Sequence, residues 1–503
     1  MTLRRSIFVL SLLLLSDALL SATMISAAAP RRPNILWIIP ENICHDLGCY
    51  GAKHVATPNI DRLAAAGMRY TRVFSTAPVC SASRSAFITG MYQTTIDSHH
   101  ARSHRNDGFR LPAGVQPITY LLRDAGYRTV NLKTIGAGTP AEQVVGTGKI
   151  DLNLDVGPKL WEAESDWSAV AGGQPFFVQV NLPEVEYDIY DRKSWQKERI
   201  EWVGEREHPQ IAKADELTPP PYYPNHEVVR DEWAKYLNSV SGLDRHVGAL
   251  LRQLEVDGLA DDTIVLLFAD NGRMEPRGIH WCYDEGLLVP LIIRFPKNFP
   301  PPVGWQVGGV DEQIVSLIDV TATTLDLAGL PLPEKMQGQI FLGERAAKPR
   351  TIAFSARDRI DETEQRVRTA RNARYRYLRN FRPDVPVMSL NRYKEKCFRI
   401  VPLMRELHGA GKLDAAQAAL FEPLPEEELY DVQTDPYEIK NLAQSTDPEH
   451  QRALVELRTA VERWIVETDD RGRFTEPREI VAPFEQEMHD WFGTPSWYRK
   501  PTR

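Results

Sequence analysis

Pro33-Asn34-Ile35-Leu36-Trp37-Ile38-Ile39-Pro40-Glu41-Asn42 is an unbroken apolar run that stops at two polar residues. A run without alternation is how a parallel strand buried on both faces reads, and its polar end marks where the strand emerges. Pro175 to Asn181 (PFFVQVN) and Thr263 to Ala269 (TIVLLFA) repeat the pattern, the second leading into Asp270-Asn271-Gly272. Val289 to Phe295 (VPLIIRF) predicts a fourth strand. Helical stretches intervene. Thr57 to Ala66 stops at Gly67, Ile118 to Ala125 stops at Gly126, and Tyr236, Val240, Leu243, Val247, Leu250, Leu251 and Leu254 recur at helical spacing. This alternation predicts an α/β fold with a mostly parallel central sheet flanked by helices. Ligands of such sheets collect at the carboxyl ends of strands, which puts Glu41, Asn42, Asp270 and Asn271 on one rim. Either pair alone is also what an ordinary strand-ending turn uses.

Beyond residue 350 the texture changes. Arg350 to Asn380 is rich in arginine and alternates, as in RTARNARYRYLRNF, which predicts antiparallel strands with one wet face, and Leu454 to Ile465 predicts a closing amphipathic helix. The expected organisation is a signal peptide over 1–29, a catalytic domain over 30–350 and a smaller α+β domain over 351–503. Arg4 and Arg5 precede the apolar Ile7 to Leu15, and Ala27-Ala28-Ala29 offers a cleavage site. Asp17 interrupts the apolar stretch, and no later segment reaches the roughly 20 apolar residues of a membrane span. The expectation is a secreted or periplasmic protein with no membrane span after cleavage. The 60 Lys and Arg against 68 Asp and Glu give a net charge of −8 over 503 residues, without a basic stretch, which argues against nucleic acid. Five cysteines, an odd number, do not make a disulfide scaffold.

The sharpest local feature is Cys80-Ser81-Ala82-Ser83-Arg84, followed by Ser85 to Gly90. Cys80 and Arg84 share a face if a helix starts here. Read from the residues alone, this is either an activated thiolate beside an anion subsite or a buried structural cysteine.

The Cys80–Arg84 stretch resembles the signature of the formylglycine-dependent sulfatases, of the alkaline-phosphatase-like superfamily. The resemblance extends to Leu47-Gly48-Cys49-Tyr50-Gly51, Thr57-Pro58-Asn59-Ile60-Asp61, Thr89-Gly90-Met91-Tyr92, Ala269-Asp270-Asn271-Gly272, Tyr283-Asp284-Glu285-Gly286, and Glu428-Leu429-Tyr430-Asp431 to Asn441-Leu442-Ala443. It implies that a maturation enzyme converts Cys80 to formylglycine. One hydroxyl of the hydrated aldehyde then attacks sulfur and the second expels sulfate. It also implies Ca²⁺ held by Glu41, Asn42, Asp270, Asn271 and the converted Cys80, with Arg84 fixing the nucleophile. Gly148-Lys149-Ile150-Asp151 fits the family's G-K-x-[HD] element, so Lys149 becomes the sulfate-contacting cation and Asp151 a substrate contact; Lys133 is the rival. His100, with His99 beside it, is a further substrate-contact candidate.

Three positions depart from the family pattern. Ala82 replaces the usual proline. Glu186 stands where a histidine is expected, and Ile279 where a lysine touches sulfate, with His280 adjacent as a substitute. Asn42 also removes one negative charge from the metal cradle. The implied function is hydrolysis of O-sulfate esters or N-sulfo groups on sulfated carbohydrates. The alternatives are a sulfatase-fold protein with reduced or lost turnover that binds sulfated glycans, and a phosphoryl or phosphonate hydrolase of the same superfamily. The Cys80 signature does not suit the last of these.

Overall fold

In the computed structural model, the described residues are 31–104, 107–135, 144–145, 148–155, 159–170, 175–189, 197 and 199–498. The expected signal peptide lies outside them. The opening apolar run forms strand β1 (Asn34–Pro40), whose residues from Ile35 onward are all buried. The strands that follow are β2 (Met68–Phe74), β3 (Arg128–Ile135), β4 (Val144–Val145), β5 (Ala163–Asp166), β6 (Phe176–Leu182), β7 (Thr263–Phe268), β8 (Leu288–Arg294) and β9 (Gly309–Ser316). They make one nine-stranded sheet in the order β4-β3-β6-β1-β7-β8-β2-β9, with β5 also paired to β3. β1 lies parallel to β6 and β7, and β3 parallel to β6. The sheet is mostly parallel, as its unbroken apolar strands require. VPLIIRF is a strand, but it runs antiparallel to both β7 and β2.

Helices cover the sheet. Pro58–Ala66 (α1) starts on Pro58 and ends at Gly67. Cys80–Thr89 (α2) is buried along its whole length. Glu227–Val256 (α3) turns Tyr236, Val240, Leu243, Val247, Leu250 and Leu254 inward, and Leu317–Leu327 (α4) carries a Ser316–Asp319 capping box. The core centres on the sheet, where Trp37 meets Phe177 and Phe268 edge-on at 4.9 and 5.2 Å.

A second sheet, antiparallel in the order β10-β11-β12-β13, comprises Ala353–Arg357, Val367–Arg371, Tyr375–Asn380 and Glu427–Asp431. The helices Arg392–Cys397 (α5), Pro448–Glu467 (α6) and Arg478–Phe492 (α7) accompany it. Its arginine-rich strands do not show the wet face that their alternation predicts. Arg357, Arg368 and Arg376 are buried, because each side of the sheet meets protein. Arg368 pairs with Asp358 and Asp470, and Arg376 with Asp284 and Glu438. Alternation reports two chemically different faces and cannot say whether the polar one meets water or carboxylates.

Candidate active site

Three adjacent parallel strands deliver the site. β6 ends near Asn181, β1 runs out into Glu41-Asn42, and β7 into Asp270-Asn271. Glu41, Asn42, Asn181, Asp270 and Asn271 are all buried at this one rim. Asn42 adopts φ 56, a left-handed conformation that asparagine tolerates better than most residues. Its main-chain N–H donates to Asp270 Oδ1 at 3.2 Å, and its amide donates to the Val185 carbonyl at 3.2 Å. Gly272 lets the strand-end loop approach the Tyr283–Gly286 segment. A Cβ there would lie 2.3 Å from the Glu285 carbonyl oxygen, so only glycine fits.

Cys80 and Arg84 share the inner face of α2, as their spacing predicts. Ser83 Oγ donates to the Asp270 carbonyl and ties the helix to the end of β7. Arg84 donates through Nε to Asp270 Oδ2 at 3.0 Å and through Nη1 to Asn181 Oδ1 at 2.6 Å, and its Nη2 lies 3.6 Å from Glu41 Oε1. Cys80 Sγ faces Asn42 Oδ1 at 3.7 Å. Burial pushes the Cys80 thiol well above its ordinary range, further than nearby Lys149 can lower it. Burial disfavours the thiolate, so this environment suits the buried-cysteine reading better than the activated-thiolate one.

Lys149 comes from the far wall. Gly148 before it sits at φ 62, and its carbonyl accepts from Asn131 Nδ2 at 2.8 Å. Asn181 Nδ2 donates to the Lys149 carbonyl at 3.0 Å. Lys149 Nζ then lies 2.7 Å from Glu41 Oε2 and 3.4 Å from Glu186 Oε2. Lys133, the rival, is half exposed and pairs with Glu164 at 3.1 Å. Burial, then the nearby Glu186, holds the Glu41 carboxyl well above its usual range, against the pull of Lys149 and Arg84. Lys149, Asp151 and Glu186 line a cavity of about 650 Å³, together with Arg102, Ile150, Leu152, Leu154, Ile189, Trp491 and Phe492.

The histidines lie elsewhere. His99 and His100 line a neighbouring cavity of about 780 Å³, where His100 stands 3.7 Å from Glu476 and burial pushes its pKa down. His280 is buried at φ 76, its main-chain N–H donating to the Pro78 carbonyl at 2.7 Å, and burial likewise depresses its pKa. It is not among the residues lining the Lys149 cavity. Ile279 is buried, and its carbonyl accepts from Lys394 Nζ at 2.7 Å.

The family model named Sulfatase matches residues 33–330, more than half of the chain. The chain belongs to the sulfatase family. It is accordingly a sulfuric ester hydrolase. It is 33% identical over 489 residues to an ulvan-active sulfatase of Formosa agariphila, covering 90% of this chain and 78% of that protein. It is 26% identical to the human N-sulphoglucosamine sulphohydrolase, over 90% and 93% of the two chains. A solved structure described as a 2-O GAG sulfatase superposes with a TM-score of 0.59 at 18% identity, covering 90% of this chain and 96% of that one, which speaks for the fold alone.

The rim of this sulfatase suits a hard cation. Glu41 Oε1 and Asn271 Oδ1 are buried acceptors without a hydrogen bond. Glu41, Asn42, Asp270 and Asn271 offer oxygen ligands only, the donor set calcium takes. Among the described residues, no group of three or more His, Cys, Asp or Glu side chains is placed to hold a metal ion. Sequence reasoning missed Asn181 as the brace between Arg84 and Lys149, and Asn131 behind Gly148. It also missed Trp491 and Phe492, which arrive from the far end of the chain. Asn181 carried a signal, since it ends a buried strand as Asn42 and Asp270 do.

Proposed function

We propose that this sulfatase removes sulfate from sulfated carbohydrates through a formylglycine made from Cys80, with calcium held by Glu41, Asn42, Asp270 and Asn271. The observation that carries the reading is the meeting of Cys80, Arg84 and Lys149 with that oxygen cradle at the end of β6, β1 and β7. Ulvan and N-sulphoglucosamine, in the names of the two relatives, support a carbohydrate substrate. When bound, calcium supplies positive charge to a sulfate oxygen. Formylglycine supplies the geminal hydroxyls that a thiol lacks. Arg84, held by Asp270 and Asn181, fixes the position of residue 80 and neutralises nearby anions. Lys149 presents an ammonium to the incoming sulfate at the wall of the cavity, while Asp151 and Glu186 border the leaving alcohol.

We also read residues 30–350 as the catalytic domain, 351–503 as a smaller one, and the protein as exported to the periplasm or beyond by its first 29 residues. No helix among the described residues is long and apolar enough to cross a membrane. Mass spectrometry of the tryptic peptide spanning Cys80, after expression with a maturation enzyme, should show the loss expected for formylglycine. Turnover of a chromogenic aryl sulfate with added Ca²⁺ should vanish in Cys80→Ala. An unmodified thiol would refute the mechanism, and turnover of phosphate but not sulfate esters would refute the substrate class. One observation favours a second reading, a glycan binder of low turnover: Lys149, the sulfate-facing cation, is held by two carboxyl groups, Glu41 and Glu186.

A further inference from the structure

The cavity beside Lys149 has two unlike walls. One comes from the segments that follow β4 and β6 and carries Lys149, Asp151 and Glu186 among the apolar Ile150, Leu152, Leu154 and Ile189. The other is the end of α7, more than 300 residues further along the chain, and carries Trp491 and Phe492. Both aromatic side chains are half-buried, each with part of its surface on the cavity. α7 is anchored by its buried Val481 and Met488, and Phe492 packs on Tyr393 of α5 at 5.9 Å.

Arg102 sets the indole. Its guanidinium lies 5.3 Å over the Trp491 ring and is itself fixed by Asp361 at 3.3 Å. The Arg102 main chain stands at φ 64, with its N–H donating to Asn153 Oδ1 at 2.7 Å. A guanidinium on one side of an indole orders the ring. Arg102 is thus a positioning residue.

The chemistry of this lining is selective. Two cations line the cavity, Lys149 and Arg102, and Asp361 already offsets the charge of Arg102 at 3.3 Å. The lining also holds two carboxyl groups, Asp151 and Glu186, which accept hydrogen bonds from hydroxyls and repel a second anion. The same lining includes a large flat aromatic surface with a polar edge, Trp491, which suits a ring with apolar C–H faces and hydroxyl edges. A volume of about 650 Å³ falls within the range of small-ligand sites.

We propose that Trp491, backed by Phe492, is the platform on which one sugar ring of the substrate stacks, while Asp151 and Glu186 accept its hydroxyls. The site then takes a singly sulfated pyranose and disfavours one bearing a second sulfate. The inference rests on the sulfated-carbohydrate reading above, and can fail without it.

Inactive Cys80→Ala protein, loaded with Ca²⁺, is titrated calorimetrically with glucosamine 6-O-sulfate, with glucosamine 2-N,6-O-disulfate and with inorganic sulfate. The monosulfated sugar is expected to bind about tenfold more tightly than the disulfated one. Adding W491A should raise the Kd for the monosulfated sugar, relative to that for inorganic sulfate, by about tenfold, and W491F should restore most of it. In the active enzyme, W491A should raise KM for the sugar far more than it lowers kcat. Labelling with 5-fluorotryptophan covers a variant that folds poorly: the fluorine resonance missing from W491F should shift when the monosulfated sugar is added to otherwise unaltered protein. A Trp491 resonance that ignores the sugar, an unchanged Kd ratio in W491A, or preference for the disulfated sugar would each overturn the proposal. If aryl sulfates are hydrolysed and these outcomes still follow, the platform fails and the sulfatase chemistry stands. If no sulfate ester is hydrolysed but the resonance shifts, the platform stands and the catalytic reading fails.

Discussion

Single residues set the charge of this site. Replacing Asn42 by Asp adds a third carboxylate to the oxygen cradle, and calcium affinity should rise on the order of tenfold, since ligand charge tunes such sites. Calorimetric titration with Ca²⁺ checks it; an unchanged affinity would mean that Asn42 does not reach the ion. Glu186→Gln relieves Lys149 of one carboxylate partner 3.4 Å away. Inhibition by inorganic sulfate should then strengthen severalfold, read from Ki at constant ionic strength. His45 offers a pH test away from the site. It stacks on Tyr50 at 4.2 Å, and burial lowers its pKa to about 4. An unfolded histidine titrates near 6.5. Between about pH 4 and 6.5 the unfolded chain therefore binds the extra proton. The stability His45 contributes is complete above pH 6.5 and is lost as pH falls toward 4. His45→Gln should flatten the fall of the melting temperature across that window; parallel melting curves would exclude the effect.

At the scale of elements, the strands were legible and their surroundings were not. PNILWIIPEN, PFFVQVN and TIVLLFA each became a buried parallel strand, and their polar ends met at one rim, because period and burial are local properties of a strand. Cys80 and Arg84 share a helix face because a step of four residues is just over one turn. What a side chain meets across the fold is not local. RTARNARYRYLRNF showed alternation, yet its arginines face Asp284, Asp358, Glu438 and Asp470, each far away or on another element. Likewise nothing near Lys149 in sequence announces Glu41 or Trp491. Asp284 makes this testable. It sits between Arg371 and Arg376, and although burial raises its pKa, the two arginines bring it down to about 2. Asp284→Asn leaves two guanidinium groups buried without it and should cost about 3–5 kcal/mol of stability. Urea unfolding would measure this, and a loss under 1 kcal/mol would mean the arginines re-pair elsewhere.

At the scale of the whole molecule, the proposed calcium site would couple metal binding to folding. The cradle joins the ends of β1 and β7 to α2, so an ion bound only by the folded chain must also stabilise it. With Ca²⁺ at about a hundred times its Kd, linkage adds about 2.7 kcal/mol. Chelation should lower the unfolding midpoint, and Ca²⁺ should restore it while Mg²⁺ does so less well; a midpoint indifferent to chelator would dismiss the cradle. The acidic balance of the chain fits this economy of charge: a few placed cations face one anion, and no basic surface is needed.

The burial of α2 also sets a schedule. Every residue from Cys80 to Thr89 is enclosed once the sheet has formed. If Cys80 is converted as proposed, an enzyme that takes the thiol into its own active site would have to reach it before the segment is enclosed. Modification and folding would then compete in time, and a chain that folds first would keep its cysteine. Folded, unmodified protein mixed with the maturation enzyme should stay inactive, whereas a peptide spanning residues 76–90 should be converted.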